Sequence, residues 1–209
     1  SRYTSGISYL HNSLLTGRYI GIAITLFALV FLTLIVIALI TLSLSPSSRT
    51  GQLDIVTGLI VSVIAAIVAF TPAVIYIIPL MWLDRYDPEP PWLLALAFSW
   101  GALVAVIFSF VINTIIGSIF GGAVGAVISA PVFEEGSKGL GVIILLIFFR
   151  REFDDILDGI VYAGVIALGF ATVENVLYYG RGFLGGGFGG LMILFIVRGI
   201  MSPFAHVTF

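Results

Sequence analysis

The residues of this sequence best suited to chemistry are ionisable side chains that stand inside long apolar runs. An ionisable group costs about 2.5–3.5 kcal/mol when it is inserted at the centre of a membrane helix, so each one is a candidate for function. The candidates are Glu134, Glu135, Lys138, Glu174, Arg198 and His206. Lys138 lies four residues after Glu134 and three after Glu135, so on a helix it can pair with either carboxylate.

Two carboxylates beside one cation would hold a proton in common if they shared a pocket of low dielectric constant. Such a pair suits general acid–base catalysis, in which one group both takes up and releases a proton. Asn175, next to Glu174, adds an amide that could orient a reactant. The structural alternatives are a Glu–Lys bridge within one helix, a bridge between Glu174 and Arg198, and a hydrogen-bonded His206 without a catalytic role.

Counting along the chain places Glu134 and Glu174 at the same depth in the membrane. Glu134 lies 16 residues before Arg150, where its run ends, and Glu174 lies 16 residues after Asp158, where the next run begins. At 1.5 Å per residue, both are about 24 Å from the same membrane face. Because neighbouring helices run antiparallel, we expect these carboxylates to converge on one water-filled pocket.

The elements that carry these residues are predicted to be membrane-spanning helices. Of the 209 residues, 60% are hydrophobic and 10% are charged. A water-soluble domain has about 25% charged residues, so lipid must cover most of this surface. A helix needs roughly 20 apolar residues to cross the hydrocarbon. Six runs meet or approach this length: 19–44, 55–81, 92–119, 123–149, 157–179 and 191–209. They predict an all-α, polytopic membrane helix bundle with six or more transmembrane helices.

The same runs divide the chain into three regions. Residues 1–18 are predicted to be an N-terminal cytoplasmic segment, residues 19–83 two N-terminal transmembrane helices, and residues 84–209 the domain with the charged groups. We expect the C-terminus to be truncated, because the sequence ends inside an apolar run. Five arginines flank one set of helix ends and two flank the other, which predicts a cytoplasmic N-terminus. The net charge of -2 gives no reason to expect a nucleic-acid partner.

Prolines and glycines mark the places where these helices should be irregular. Pro72 and Pro79 should kink the second run. Pro131 either kinks the fourth run or stands in the first turn of its helix, where proline is favoured. The glycine-rich stretch 180–190 indicates either a flexible loop or a mobile gate over a site.

A second group of acidic residues stands at the predicted cytoplasmic ends of the helices. They are Asp154, Asp155 and Asp158 in a D-D-x-x-D pattern, and Asp84, Asp87 and Glu89 in the loop DRYDPEP. Magnesium prefers hard oxygen ligands, so a magnesium-dependent prenyl or lipid transferase is one alternative function. The simpler interpretation is that acidic residues stabilise helix N-termini. The other alternative is a non-enzymatic, ion-coupled transporter whose buried charges line an ion path.

Several segments together resemble the PrsW family of intramembrane proteases. They are DRYDPEPPWLLALAFSWGA, APVFEEGSKGLGV, FDDILDGIVYAGVIALGFATVENVLYY and RGIMSPFAHVTF, from about residue 84 to the end. The family is distantly similar to CAAX prenyl endopeptidases and bacteriocin-processing membrane proteases. Those proteins carry a glutamate pair followed by a basic residue, then FxxxH, then HxxxN. In this sequence FATVE puts Glu174 in place of the histidine of the second motif, and the third motif would begin at His206.

The resemblance implies an intramembrane endopeptidase that hydrolyses membrane-anchored polypeptides with a glutamate-activated water in a prokaryotic cytoplasmic membrane. It implies catalytic roles for Glu134, Glu135, Lys138, Glu174, Asn175 and His206. One glutamate of the pair would activate water, Lys138 would orient a carboxylate, and His206 would bind the oxyanion or the water.

The resemblance leaves two kinds of mechanism open, one metal-free and one zinc-dependent. A zinc site usually needs three protein ligands, mainly His or Cys. The chain has no cysteine and two histidines, so a metal-free, glutamate-type mechanism is favoured. If a metal is bound, its ligands would be Glu135, Glu174 and His206.

Overall fold

The computed structural model describes residues 2–47 and 52–201, with residues 2–20 as backbone only. Its α-helices are α1 (Arg2–Ser43), α2 (Ile55–Leu83), α3 (Pro91–Ser99), α4 (Val106–Phe120), α5 (Gly122–Val124), α6 (Ala130–Phe148) and α7 (Ile156–Leu194). Three π-helical stretches extend them, at Trp100–Ala105, Gly125–Ser129 and Phe195–Met201, and Arg150–Glu152 forms a 3-10 turn. One isolated bridge joins Ser47 and Leu53. The described residues therefore confirm the all-α class.

Four helical segments among the described residues are long and apolar enough to cross a membrane: Gly21–Ser43, Ile55–Leu83, Pro91–Phe120 and Ile156–Met201. They support a polytopic membrane protein, but they do not confirm six or more spans. The predicted fourth run contains α6, whose 19 residues carry three charged side chains. The predicted fifth and sixth runs fall together on the helical segment Ile156–Met201.

Residues as far as Ile35 form one compact unit, and the chain from Val36 onward forms another. In the second unit α7 is the central helix, because α2, α3, α6 and two of the π-helical stretches all pack against it. One core cluster consists of Leu93, Ala97, Leu145, Val161, Tyr162, Val165 and Ile166. This packing fixes α6 and α7, which carry the acidic residues.

The contact between α7 and α3 with its π-helical extension is backbone against backbone. A Cβ built on Gly101 would overlap the carbonyl of Ile166, and one built on Gly169 would overlap the carbonyl of Phe98. Membrane helices approach this closely only where small residues remove the side chains between them. Glycine at these two positions therefore sets the distance between the helices.

The glycine-rich stretch 180–190 is a tight helical hairpin rather than the flexible loop of one sequence interpretation. Gly186 and Gly187 have non-helical backbone angles, and Gly187 has φ 58°, a conformation that side chains disfavour. The two legs pack so closely that a Cβ on Gly190 would overlap the Gly182 carbonyl. The hairpin returns the last π-helical stretch alongside α7.

The predicted breaks at proline have two outcomes. Helix α2 begins beside Asp54, whose carboxylate accepts the Thr57 N–H at 3.0 Å, and it continues through Pro72 and Pro79 to Leu83. Pro131 stands in the first turn of α6, which is one of its two predicted positions. The acidic residues of α6 therefore follow this proline within about one turn of the helix.

Candidate active site

A partly open cavity of about 570 Å³ lies between α2, α6 and α7. Four of the predicted catalytic residues line it, together with one further cation: Glu135, Lys138, Glu174, Asn175 and Arg198. Glu134 is not part of the lining, and His206 lies outside the described residues. Charged groups from α6 and α7 therefore line one cavity, but the carboxylate from α6 is Glu135 and not Glu134, which the depth count had paired with Glu174.

On α6, Glu135 and Lys138 form an ion pair at the cavity wall. The Lys138 ammonium is 2.7 Å from Glu135 Oε1, and it also lies 4.2 Å from the centroid of the Phe170 ring. The Lys138 side chain is 11% exposed, whereas that of Glu135 is 61% exposed. Because an ionised carboxylate is very costly to place in hydrocarbon, the exposed part of Glu135 would have to contact water in a membrane.

Opposite this pair, Arg198 joins the two polar residues of α7. Its Nη2 donates to Glu174 Oε2 at 2.6 Å, and its Nε donates to Asn175 Oδ1 at 3.0 Å. The guanidinium also stacks over the Tyr178 ring at 3.6 Å. Arginine can hold two acceptors in one plane, so it fixes Glu174 and Asn175 relative to each other. The Glu174–Arg198 bridge considered from sequence thus exists, and it stands on the cavity wall.

Glu134 has different surroundings from its neighbour Glu135. Asn113 on α4 donates to Glu134 Oε1 over 3.5 Å, and Ser129 donates to Asn113 Oδ1 at 2.9 Å. Consecutive residues on an α-helix point about 100° apart, so the two carboxylates make different hydrogen bonds. Glu134 nevertheless lies within electrostatic range of Glu174, Lys138 and Arg198. Asn113 was missed from sequence, although a single amide inside an apolar run was a signal for it.

Trp100 holds α6 against the first π-helical stretch and was also missed. Its indole Nε1 donates to the Ser137 carbonyl at 3.0 Å, and its ring fills the space that a side chain at Gly141 would need. Trp100 begins one π-helical stretch, and Arg198 stands in another. Such stretches occur frequently at functional sites.

The second acidic group caps a helix, as in the simpler interpretation from sequence. Asp158 Oδ2 accepts the backbone N–H groups of Asp154 and Asp155 at 2.7 and 2.8 Å. The Asp155 carboxylate accepts the Ile156 N–H at 2.6 Å, which completes the cap of α7. These contacts engage two of the three carboxylates of the D-D-x-x-D pattern, Asp155 and Asp158, in capping the helix.

The nearby loop acids are also engaged within the fold. Asp84 accepts the Glu89 N–H at 2.9 Å, and the Tyr162 hydroxyl donates to the Glu89 carboxylate. Burial raises the pKa of Glu89 above its ordinary value, and the neighbouring acids Asp158 and Asp84 add to this. The structure thus offers no specific support for a transferase site at this end.

A cavity lined by charged side chains among long apolar helices defines the class of the molecule, a polytopic membrane protein with a polar site between its helices. Residues 89–209 match the family described as PrsW family intramembrane metalloprotease. The chain belongs to this family.

Individual relatives agree with the family match. The chain is 35% identical over 97 residues to the Protease PrsW of Geobacillus kaustophilus, which covers 46% of this chain and 43% of that protein. It is 38% identical over 95 residues to the Protease PrsW of Oceanobacillus iheyensis, with coverage of 43% and 42%. For the Bacillus subtilis Protease PrsW, identity is 32% over 97 residues, with coverage of 46% and 44%. The chain spans less than half the length of these relatives, and no solved structure matches it.

The family description names a metalloprotease, and a zinc site usually needs three protein ligands. Among residues 21–47 and 52–201, no three His, Cys, Asp or Glu side chains form a group that could hold a metal ion. The two cavity carboxylates of the zinc alternative, Glu135 and Glu174, are each paired with a cation at 2.7 and 2.6 Å. The described part of the cavity therefore does not fit a metal by itself, and the remaining ligand of that alternative, His206, lies outside it.

Proposed function

We propose that the protein is an intramembrane endopeptidase that cleaves membrane-anchored polypeptides with a water molecule activated by Glu135. The observation that carries the proposal is the cavity, whose lining contains the exposed carboxylate of Glu135 and a second carboxylate, Glu174, which is held by Arg198. The family description and the relatives, which are named Protease PrsW, support the same activity.

In this mechanism Glu135 is the general base and then the general acid. Its Oε1 is held by Lys138, so Oε2 is free to accept a proton from water as the water oxygen attacks the peptide carbonyl carbon. The carboxyl group then gives that proton to the departing amide nitrogen as the C–N bond breaks. Such proton transfer contributes about 10²–10⁴-fold to rate.

The cations on the two walls are placed to stabilise the charge that develops on the carbonyl oxygen. Lys138 and Arg198 both line the cavity, and Asn175 presents its amide beside Arg198. Groups fixed in advance around a developing oxyanion are worth about 10²–10³-fold each. By resemblance to the family, His206 would add a further contact to the oxyanion or the water.

We propose the metal-free form of this reaction, because each cavity carboxylate already has a cationic partner. The finer features proposed for the whole protein are six or more transmembrane helices, a cytoplasmic N-terminus and a prokaryotic cytoplasmic membrane. The family and the bacterial relatives support a membrane setting.

Cleavage of single-span peptides by the reconstituted full chain tests this function. Wild type, Glu135→Gln, Glu174→Gln and His206→Ala would be assayed in proteoliposomes, each with and without a chelator. Glu152→Gln removes one carboxylate outside the cavity and is the matched control for charge.

Loss of cleavage in Glu135→Gln, with the control and the chelator-treated wild type still active, is the expected result. If chelator abolishes cleavage and zinc restores it, the metal-free mechanism is wrong and the peptidase activity stands. If Glu135→Gln cleaves like wild type, Glu135 is not the base.

A further inference from the structure

The rotation of α6 about its own axis decides which of its residues meet the cavity. The residues of α6 that line the cavity are Glu135, Lys138, Gly139 and Val142. Its buried residues are Ser137, Gly141 and Leu145. At about 100° per residue, the centres of these two sets lie about 110° apart around the helix. Glu134 falls within the angular range of the buried set, so a rotation of about 100° would bring it to the present direction of Glu135.

The buried face of α6 offers few large side chains to fix this rotation. Two of its three buried residues are Ser137 and Gly141, and only Leu145 has a large side chain. The outer face of the helix adds little in a membrane, because lipid tails are as apolar as leucine and helices associate through close packing and hydrogen bonds. A specific contact is therefore needed to hold α6 in one rotation.

Trp100 makes such a contact at two of the three buried positions. Its indole Nε1 donates to the Ser137 carbonyl at 3.0 Å. Its ring occupies the space next to Gly141, where an added Cβ would overlap the ring atoms. Ser137 is two residues from Glu135 and adjacent to Lys138, so the contact acts on the turn that carries the ion pair.

Trp100 is itself held close to α7, the helix that carries the other cavity carboxylate. It begins the π-helical stretch Trp100–Ala105. The next residue, Gly101, is so close to α7 that an added Cβ would overlap the Ile166 carbonyl. The indole therefore fixes the rotation of α6 relative to the backbone of α7, and with it the placement of Glu135 relative to Glu174.

We propose that Trp100 is a positioning residue of the site, which holds α6 in the rotation that presents Glu135, and not Glu134, to the cavity. Trp100 is not part of the cavity lining, so it acts through α6 and not on the reactant. The proposal rests on the proposed function, because that function makes Glu135 the carboxylate that must be presented. When the contact is lost, α6 is free to rotate, and Glu135 and Lys138 leave the cavity together.

Thiol reactivity measures this rotation without requiring cleavage. The full chain contains no cysteine, so a single one can report on α6. Gly139→Cys faces the cavity, where an added side chain has open space, and Leu140→Cys lies on the exposed surface outside the lining. In proteoliposomes a charged methanethiosulfonate reagent should modify Gly139→Cys at least about tenfold faster, because the charged reagent is excluded from the lipid around position 140.

Trp100→Phe keeps an aromatic ring but removes the N–H donor. The ratio of the two modification rates should fall about fivefold, the effect of one lost hydrogen bond. In the cysteine-free chain, kcat for a single-span peptide should fall by a similar factor with little change in KM, because the cavity residues of α2 and α7 stay in place. Trp82→Phe, on an exposed part of α2 outside the lining, is the matched control and should alter neither quantity. An unchanged ratio, or a lower ratio with unaltered kcat, would overturn the proposal.

The space next to Gly141 provides a second variant that leaves the indole intact. Gly141→Ala forces the helix and the Trp100 ring apart, so it should lower the ratio of modification rates at least as much as Trp100→Phe does. Gly136→Ala, on the same helix with open space around it, is its control and should leave the ratio unchanged. Thermal unfolding checks that each variant is folded. Equal ratios in the two alanine variants would show that the ring does not set the rotation.

The role of Trp100 and the peptidase activity can fail separately. If the ratio falls as expected but neither the wild type nor any variant cleaves a peptide, Trp100 sets the rotation of α6 and the peptidase is refuted. If the wild type cleaves and Trp100→Phe keeps both its ratio and its kcat, the peptidase stands and the role of Trp100 is refuted.

Discussion

Exchanging each glutamate of the pair for glutamine separates two residues that are adjacent in sequence. Glu135 lines the cavity with 61% of its side chain exposed, whereas Glu134 lies outside the lining and meets Asn113. Glutamine keeps the shape and the acceptor oxygen of glutamate but cannot take a proton from water. The two variants therefore differ in chemistry and little in packing.

The expected sizes follow from these surroundings. Glu135→Gln removes the general base, so kcat should fall by about 10²–10⁴, which corresponds to roughly 3–5 kcal/mol of activation free energy. Glu134→Gln keeps a carbonyl oxygen for Asn113. Its bond is long, at 3.5 Å, so the loss should stay below about tenfold.

Single-turnover cleavage of a fluorogenic single-span peptide in proteoliposomes measures both variants, and thermal unfolding checks that each is folded. KM should change little in either, because neither exchange alters the apolar residues that line the cavity. If Glu134→Gln is as inactive as Glu135→Gln, or more so, then a position in the cavity lining does not identify which glutamate is the general base.

Three further changes test other contacts. Arg198→Lys keeps the charge but cannot contact both Glu174 and Asn175 as the guanidinium does. We therefore expect kcat to fall by about 10–100-fold with little change in thermal stability. An unchanged kcat would show that the two-point contact is unimportant. Gly169→Ala places a methyl group against the Phe98 carbonyl and should lower the free energy of unfolding in detergent by about 1–3 kcal/mol, whereas Gly159→Ala, which has open space, should not. Burial raises the pKa of Glu89, so its protonated form stabilises the fold at acid pH and this stability is lost as the pH rises through the raised pKa. Glu89→Gln should flatten that part of a melting-temperature profile between about pH 4 and 8; an unaltered slope would show that another group causes it.

The sequence was sufficient to predict that charged side chains from two helices lie at one site. Insertion cost identified Glu135, Lys138, Glu174 and Arg198 as exceptional, whereas counting residues from the helix ends paired Glu174 with Glu134, which does not line the cavity. All four line the cavity. These inferences depended only on helical rise and on the cost of charge in lipid, which are properties of any membrane helix.

Other features depended on tertiary packing and could not be read from the chain. The rotation of α6 about its axis decides that Glu135 rather than Glu134 meets the cavity, and Trp100 contributes to that rotation through its bond to Ser137. The chain reversal at Gly186 and Gly187 could not be located from the sequence, because the neighbouring glycines also permit unusual backbone angles. The six or more spans predicted from the apolar runs are not confirmed, because the fifth and sixth runs lie on one helical segment, Ile156–Met201.

The π-helical stretch Phe195–Met201 contains Arg198, and its wider turn has a consequence for sequence length. A π turn accommodates one residue more than an α turn, so deleting one residue there would leave an ordinary α-helix. Because the wider turn absorbs the extra residue, side chains beyond the deletion would keep nearly their present direction relative to those before it. Relatives can therefore differ by one residue within such a helix and still present the same face to the cavity, and alignments should allow single-residue gaps inside these helices.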